Sequence, residues 1–362
     1  MSNFEISIII PVFNASLSLS KCIQSIKSQT FSEPFETIFV DDRSTDNSFE
    51  LIKREKLKNS SFFQLKKNFG PAYARNYALS KASGKYVFFL DADDELEANV
   101  LFLLHEKAKE KNYDLVFSDK KRVENKINQN ENNYFFKLDR SFNKKEILEE
   151  IKNRFYDPLY IGGLIGITGR LVKRSVLVEN NLRFVDSLRF LEDDTFSYDL
   201  LSSINSAYYI KKQLYTYNIL PNIETGISIG IMYNLSIENY KLVKNHIENS
   251  IHKLGGRKNE IKIIGNQALI YLLIKTLISF SRSLILGKID YKKGLEIRKN
   301  FISNIIEDKE IYKIIQNYKA SKDESYLIPK AIMWRSKFLL SISSMMRAKK
   351  ILKMRRKNLI KK

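Results

Sequence analysis

The chain has 362 residues, 44% of them hydrophobic and 12% aromatic, which suits one large domain with an appendage or two modest domains. A single cysteine, Cys22, excludes an intramolecular disulfide framework, and with only His105, His246 and His252 there is little from which to build a zinc cluster. The formal net charge of +20 calls for a partner or surface of opposite sign, and much of it is local: from Lys330 to Lys362 twelve Lys and Arg stand with no Asp or Glu among them.

The chain opens Met1-Ser2-Asn3-Phe4-Glu5 and runs straight into an apolar segment, with no basic stretch, long apolar core or cleavage site, so an intracellular protein is expected. The most hydrophobic long segment, Leu269 to Leu286, is interrupted by Lys275 and Arg282 and reads as a buried or amphipathic helix rather than a membrane span.

Ile6-Ser7-Ile8-Ile9-Ile10-Pro11 reads as a first buried strand stopped by proline. Ser18 to Gln29 then places Leu19, Cys22, Ile23 and Ile26 at helical spacing. A second strand, Thr37-Ile38-Phe39-Val40, runs into Asp41-Asp42 and a polar loop, Arg43 to Ser48, rich in N-cap residues, before a helix carrying Phe49, Leu51 and Ile52. A third, Phe62-Phe63-Gln64-Leu65, leads through Asn68-Phe69-Gly70-Pro71 to a helix containing Ala72, Ala74, Arg75, Asn76 and Ala78. The fourth is Tyr86 to Leu90, a run of aromatic and β-branched residues suited to burial on both faces of a parallel sheet. Four strand–helix units in succession predict an α/β fold with a mostly parallel, doubly wound sheet, because parallel neighbours need crossover connections.

Asp91, Asp93 and Asp94 follow the fourth strand at once. Open α/β sheets bind ligands beyond their strand ends, and carboxylates crowded there repel one another unless a divalent cation such as Mg²⁺ or Mn²⁺ joins them to a substrate phosphate. A solvated acidic turn is the plain alternative. Neither Gly-x-Gly-x-x-Gly after the first strand nor Gly-x-x-x-x-Gly-Lys-Ser/Thr is present, which disfavours a dinucleotide dehydrogenase and a P-loop NTPase. Instead Pro11 and Phe13 offer an apolar wall, and Asn14 and Asp41 polar contacts, for a base and ribose; Asp41 and Asp42 also suit an Asx-turn.

Ile8 to Asn14, Phe39 to Ser48, Asn68 to Asn76 and Phe89 to Asp94 together resemble, in order and spacing, the successive N-terminal motifs of inverting family 2 glycosyltransferases with the GT-A fold. Arg43 departs from the glycine common there and is expected to stiffen a tight turn. The resemblance implies that Pro11, Phe13 and Asn14 line a nucleotide pocket and that Asp41 meets the base, usually uracil. It sets Asn68 and Arg75 near the nucleotide and diphosphate, and makes Asp91-Ala92-Asp93 the Asp-x-Asp element facing ribose and metal, Mn²⁺ or Mg²⁺. Inverting transfer also needs a base for the acceptor hydroxyl. Glu192-Asp193-Asp194 matches the family's acidic motif at a helix start, with Asp193 as base and Asp194 as runner-up; helix-dipole complementarity is the plain alternative for these acids.

Further along, Leu115 to Asp119 reads as another strand, residues 120–140 as a variable loop or lid, Ile161 to Gly166 as a flexible approach to a ligand, and Leu214 to Asn218 with Gly226-Ile227-Ser228 as the family's closing strand and diphosphate-side loop. Long helices are expected over Ile231 to Leu254, Glu260 to Leu286 and Asp290 to Ile306. The expected domains are a catalytic 1–230, with nucleotide-sugar (1–119) and acceptor (120–230) halves, a helical 231–327 and a basic amphipathic 328–362. In that tail Trp334, Phe338, Ile342 and Met345 fall at helical spacing among cations, as in a helix lying on an anionic membrane; a docking helix is the alternative, and nucleic acid is disfavoured. The expectation is a cytoplasmic, peripheral enzyme of surface-glycan assembly (lipopolysaccharide, capsule or lipid-linked saccharide) using a UDP-sugar. A non-catalytic scaffold derived from such an enzyme is the rival.

Overall fold

The structure, a computed structural model, describes residues 3–55, 57–124, 127–128, 133–156, 163–219, 235–319 and 325–360. It divides into a sheet-bearing unit, Met1–Glu150 with Gly162–Pro221, and a helical unit, Ile151–Ile161 with Asn222–Lys362.

In the first unit β1 (Ile6–Val12), β2 (Phe35–Asp41), β3 (Ser60–Gln64) and β4 (Tyr86–Phe89) alternate with α1 (Leu19–Lys27), α2 (Ser48–Glu55) and α3 (Pro71–Lys81). These strands lie side by side in the order β3-β2-β1-β4, all parallel. Register sets their ends: Val12 pairs with Asp41, and Ile9 pairs with both Ile38 and Phe89, so Phe13, Asp41 and Asp91 leave the sheet from one edge. Alternation on β1 sends Ile8, Ile10 and Val12 into a core with Leu19, Cys22, Ile23 and Ile26 of α1. Val87, Phe88, Phe89 and Leu90 are completely buried, each contributing about 2 kcal/mol of transfer free energy. Gly84 lets β4 enter at all, because a Cβ there would stand 2.6 Å from the Ser7 backbone nitrogen.

Beyond β4 the sheet is mixed. After β5 (Glu95–Leu96) and α4 (Val100–Glu110) come β6 (Leu115–Glu124), β7 (Ile127–Asn128) and β8 (Arg140–Asn143). Then follow α5 (Lys144–Tyr156), β9 (Arg170–Lys173), α6 (Arg174–Glu179), α7 (Glu192–Ser203) and β10 (Ser206–Ile219). β9 runs antiparallel between β4 and β6, and β10 is parallel to β6. The loop expected over 120–140 is corrected in its first part: β6 continues through the polar residues Lys120 to Glu124, because Tyr215–Ile219 of β10 supply a neighbouring strand for that backbone. β10 is accordingly far longer than the segment read from Leu214 to Asn218.

The helical unit contains α8 (Ile237–Lys253), α9 (Lys258–Ile285), α10 (Tyr291–Glu307), α11 (Lys309–Ile315), α12 (Leu327–Met333) and α13 (Lys337–Ile360). α9 is long and apolar enough to cross a membrane by length and composition, yet 67% of its apolar window is buried in the protein. Arg298 of α10, 3% exposed, ties the unit together. Its Nε donates to Ser281 Oγ of α9 at 2.9 Å, and on α13 Nη1 donates to Ser341 Oγ (2.9 Å) and Nη2 to Ser341 O (2.8 Å) and Ser344 Oγ (2.6 Å).

Candidate active site

The shared edge of β1, β2 and β4 gathers the residues singled out in the sequence. Asp41 is fully buried at the end of β2. Its Oδ2 accepts from Gln64 Nε2 (3.0 Å) and from the Ser44 backbone N–H (3.2 Å), the expected turn contact, while its Oδ1 is buried without a partner among the described residues. An ionised oxygen left so is costly unless a ligand N–H meets it. Asp42 instead grips the next loop, accepting from the Phe69 and Gly70 backbone N–H groups at 2.7 Å each. Asn14, in a left-handed conformation (φ 49°), accepts at Oδ1 from the Thr45 N–H (2.8 Å) and so braces the 43–45 loop. Pro11 is half-buried beside Val40, and Phe13 is 40% exposed at the strand end.

Arg75 is the node of the site. α3 carries it into the interior, 4% exposed, where Nη2 donates to Asp91 Oδ1 (2.9 Å) and Nη1 to both Glu192 Oε1 (3.1 Å) and Asp193 Oδ1 (3.0 Å). Burial opposes its charge, but Asp193, Asp91 and Glu192 outweigh it and hold the guanidinium above its ordinary value. The Phe184 ring lies 5.5 Å from its Cζ. Asp193 sits in the first turn of α7 with 40% of its side chain exposed, the most open of the three partners. One edge of the carboxylate is open while its inner oxygen faces the buried Arg75; desolvation on that inner side, then Glu192 and Asp91, push the carboxyl upward against the pull of Arg75. Asp194 is one residue further along the helix and turned about 100° away.

Oxygens of Asp91, Asp93 and Asp94 lie within 4.8 Å of one another. Asp94 is held by the closing strand: its Oδ2 accepts from the Tyr215 hydroxyl (2.6 Å) and its Oδ1 from the Asn218 N–H (2.9 Å). Burial first, and then the Asp91 carboxylate, push Asp93 up to about 6. A divalent cation fits here, since it removes the repulsion that raises Asp93 and meets hard oxygen donors. Ala92, buried, presents its carbonyl to Ser18 Oγ (3.2 Å) and so backs the turn rather than the cleft.

Three groups escaped the sequence reading. Arg189 donates to Asn68, from Nη1 to its side-chain oxygen and from Nη2 to its carbonyl (3.0 Å), bracing the segment where Gly70 adopts φ 96°. Tyr215 anchors Asp94 by donating its hydroxyl to it, and the same oxygen accepts from the Asp91 N–H at 3.2 Å. Lys120 lies over the Tyr215 ring, 5.2 Å from its centre, and donates to Thr168 Oγ1. Burial, then Arg170, pull its ammonium down to about 8, with Asp94, Asp91 and Asp193 resisting. Only Tyr215 had a local signal, its place in an aromatic strand. The segment Gly226-Ile227-Ser228 and residues 161–162 lie outside the described residues.

A parallel strand edge, an acidic cluster at its fourth strand and a second acidic helix start joined to it by one arginine make up the candidate site, and the arrangement is that of a GT-A fold, as comparison with known proteins shows. The Glycosyl transferase family 2 model matches residues 7–177. Poly(ribitol-phosphate) beta-N-acetylglucosaminyltransferase TarP of Staphylococcus aureus is 33% identical over 262 residues, 71% of this chain and 75% of that protein. Glycosyltransferase GlyG of Streptococcus pneumoniae is 30% identical over 222 residues, 59% of this chain and 70% of that protein. In fold, the chain is similar to S. aureus TarS 1-349 in complex with UDP-GlcNAc, with a TM-score of 0.64 at 19% identity, covering 94% of this chain and 90% of that one. The chain belongs to glycosyltransferase family 2 and is an enzyme of that class.

Proposed function

We propose that the enzyme transfers a hexose or N-acetylhexosamine from UDP to a hydroxyl of a growing surface glycan, with inversion and with Asp193 as general base. The observation that carries this reading is the Arg75 node, which brings Asp91, from the metal-side cluster, and Asp193, from the acceptor-side helix, within the span of one guanidinium. A base must stand on the face of the sugar opposite the leaving diphosphate, and the relative openness of Asp193 supports that role over the enclosed Glu192.

At the other end of the cleft, the unpartnered Asp41 Oδ1 suits the imide N–H of uracil, and Phe13 and Pro11 offer the base an apolar wall. Asp93 and Asp91 would hold Mn²⁺ or Mg²⁺, which when bound neutralises charge on the departing nucleoside diphosphate. Arg75 keeps Asp91 and Asp193 apart in charge and fixed in direction, and Tyr215 and Asn218 keep Asp94 from swinging out of the turn.

For the acceptor, an anionic glycan is favoured over a neutral one. TarP, by its name, acts on a poly(ribitol-phosphate) chain, and a protein of net charge +20 attracts a polyanion. The test is a transfer assay with UDP-N-acetylglucosamine, UDP-glucose and UDP-galactose, with Mn²⁺ or chelator, on poly(ribitol-phosphate) and on neutral oligosaccharide. Metal-dependent transfer to the polyanion, weakening with salt, is expected. The same assay is run with GDP- and dTDP-sugars: transfer from these alone overturns the donor, and equal rates on the neutral acceptor overturn the acceptor class.

A further inference from the structure

The two faces of α13 differ in kind. One is built into the helical unit: Leu340, Ser343, Ser344 and Ala348 are buried, and Arg298 fastens it through Ser341 and Ser344. The other is bare. Phe338 is 72% exposed and Met346 60%, with Leu339 and Ile342 exposed beside them. Phe338, Ile342 and Met346 recur every four residues and so form one stripe. Lys349, Lys350 and Lys353, all exposed, continue the stripe toward the helix end. At the turn before α13 stands Trp334, 61% exposed, with Lys330 Nζ 5.6 Å from its ring.

Large apolar side chains left in water along one helical stripe mark a docking surface. We infer that this face of α13, with Trp334, docks on an anionic lipid bilayer. The charge decides the occupant. No Asp or Glu occurs from Lys330 onward, so the same face of a second copy would offer these lysines no carboxylate, and a neutral protein partner would leave them unmatched. A bilayer surface with anionic headgroups satisfies both halves of the stripe: acyl chains receive Phe338, Ile342 and Met346 while the lysines stay at headgroup level, where Trp334 also belongs.

Trp334 is the only tryptophan in the chain, so its emission reports this surface directly. Full-length protein is titrated with vesicles of phosphatidylcholine, alone or mixed with phosphatidylglycerol, while emission and flotation are followed. With the mixed vesicles Trp334 emission moves to shorter wavelength and the protein floats; with phosphatidylcholine alone binding is much weaker, and raised salt reverses it. The triple variant Lys349→Glu, Lys350→Glu, Lys353→Glu weakens binding to mixed vesicles by about fivefold or more for each charge changed, over a hundredfold in all. Phe338→Ser with Ile342→Ser removes the spectral shift. These positions are exposed, and an unchanged thermal transition confirms each variant's fold. No shift with mixed vesicles, or wild-type binding by the charge-reversed variant, overturns the inference. A lipid-independent shift that grows with protein concentration alongside a doubled mass also overturns it, assigning the face to a second copy. None of these readings depends on sugar transfer.

Discussion

Arg75 in one unit and Arg298 in the other are both almost completely buried, and the two are satisfied in opposite ways. Arg75 in the sheet-bearing unit is met by three carboxylates, whereas Arg298 in the helical unit is met by three serines, through hydroxyls and one carbonyl. Arg75 is therefore held cationic, while burial with no counter-charge pulls Arg298 down to about 10. Arg298 can do little but fasten helices. Arg75 holds the acids that the proposed mechanism uses as base and metal-side ligand, so on that reading a phosphate or metal entering the cleft would change what surrounds it. Ionisable partners mark the working arginine and neutral partners the structural one.

The sharpest extension of this contrast concerns Asp193. Asp193→Asn keeps the size of the side chain and can still accept from Arg75, but it cannot take a proton. Transfer is expected to fall by about 10²- to 10⁴-fold, with UDP affinity, measured by calorimetry, within about twofold of wild type (a change under ~0.5 kcal/mol). Full activity would move the base to Asp194. In the wild-type enzyme, raising Asp193 above the ordinary carboxylate range predicts an acid limb. The base works only when deprotonated, so rate should rise as pH climbs through that raised value. A rate flat between about pH 5 and 8 would remove Asp193 from the role.

Arg75→Met breaks the comparison directly. It strands Asp91, Glu192 and Asp193 without their cation, a loss of about 3 kcal/mol at neutral pH once the exposure of Asp193 is allowed for. Glu192 and Asp193 are both raised by burial already, and protonating them relieves the stranded charge, so the deficit should shrink as pH falls from about 8 to 5. Arg298→Met removes no counter-charge. Ser281 and Ser344 still donate to the Leu277 and Leu340 carbonyls at 2.7 and 2.6 Å, leaving chiefly the Ser341 contacts unmet. About 1 kcal/mol is expected, constant over the same pH range. Thermal melts of both variants across pH test the pair, and parallel pH curves would dissolve the distinction. Asp41→Asn falls between them in size: UDP affinity should drop about tenfold or more, through loss of a charged acceptor at Oδ1, while unchanged affinity would take the base elsewhere.

The strand order and the strand-end acids were legible because they rest on local pattern: apolar runs of strand length, turn residues after them, and parallel connections that put successive strand ends on one edge. The closing contacts were not. Arg75 and Glu192 stand 117 residues apart in sequence, and Arg189 and Asn68 121, so no local pattern relates them. The continuation of β6 was missed for a related reason: Lys120 to Glu124 are polar, and only the long neighbouring β10 makes strand their best conformation. The pattern of the tail told of an amphipathic helix, but which face is spent on Arg298 and which stays bare is a matter of packing.

Arg43 offers the smallest and most discriminating test of how far a family pattern constrains energy. It adopts φ 63°, the left-handed conformation that glycine enters freely, and its Nη1 reaches Gln64 Oε1 only at 3.4 Å. Holding a non-glycine residue there costs about 1 kcal/mol, which Arg43→Gly would recover. Glycine also frees the unfolded chain, costing about 0.5 to 1 kcal/mol in return. The two terms nearly cancel, so the melting temperature should move by less than about 2 °C and UDP affinity should stay as it was. A loss of nucleotide affinity would show that Arg43 acts through Gln64 on Asp41, whose Oδ2 that same glutamine holds at 3.0 Å. The departure from glycine would then belong to the nucleotide site rather than to the turn.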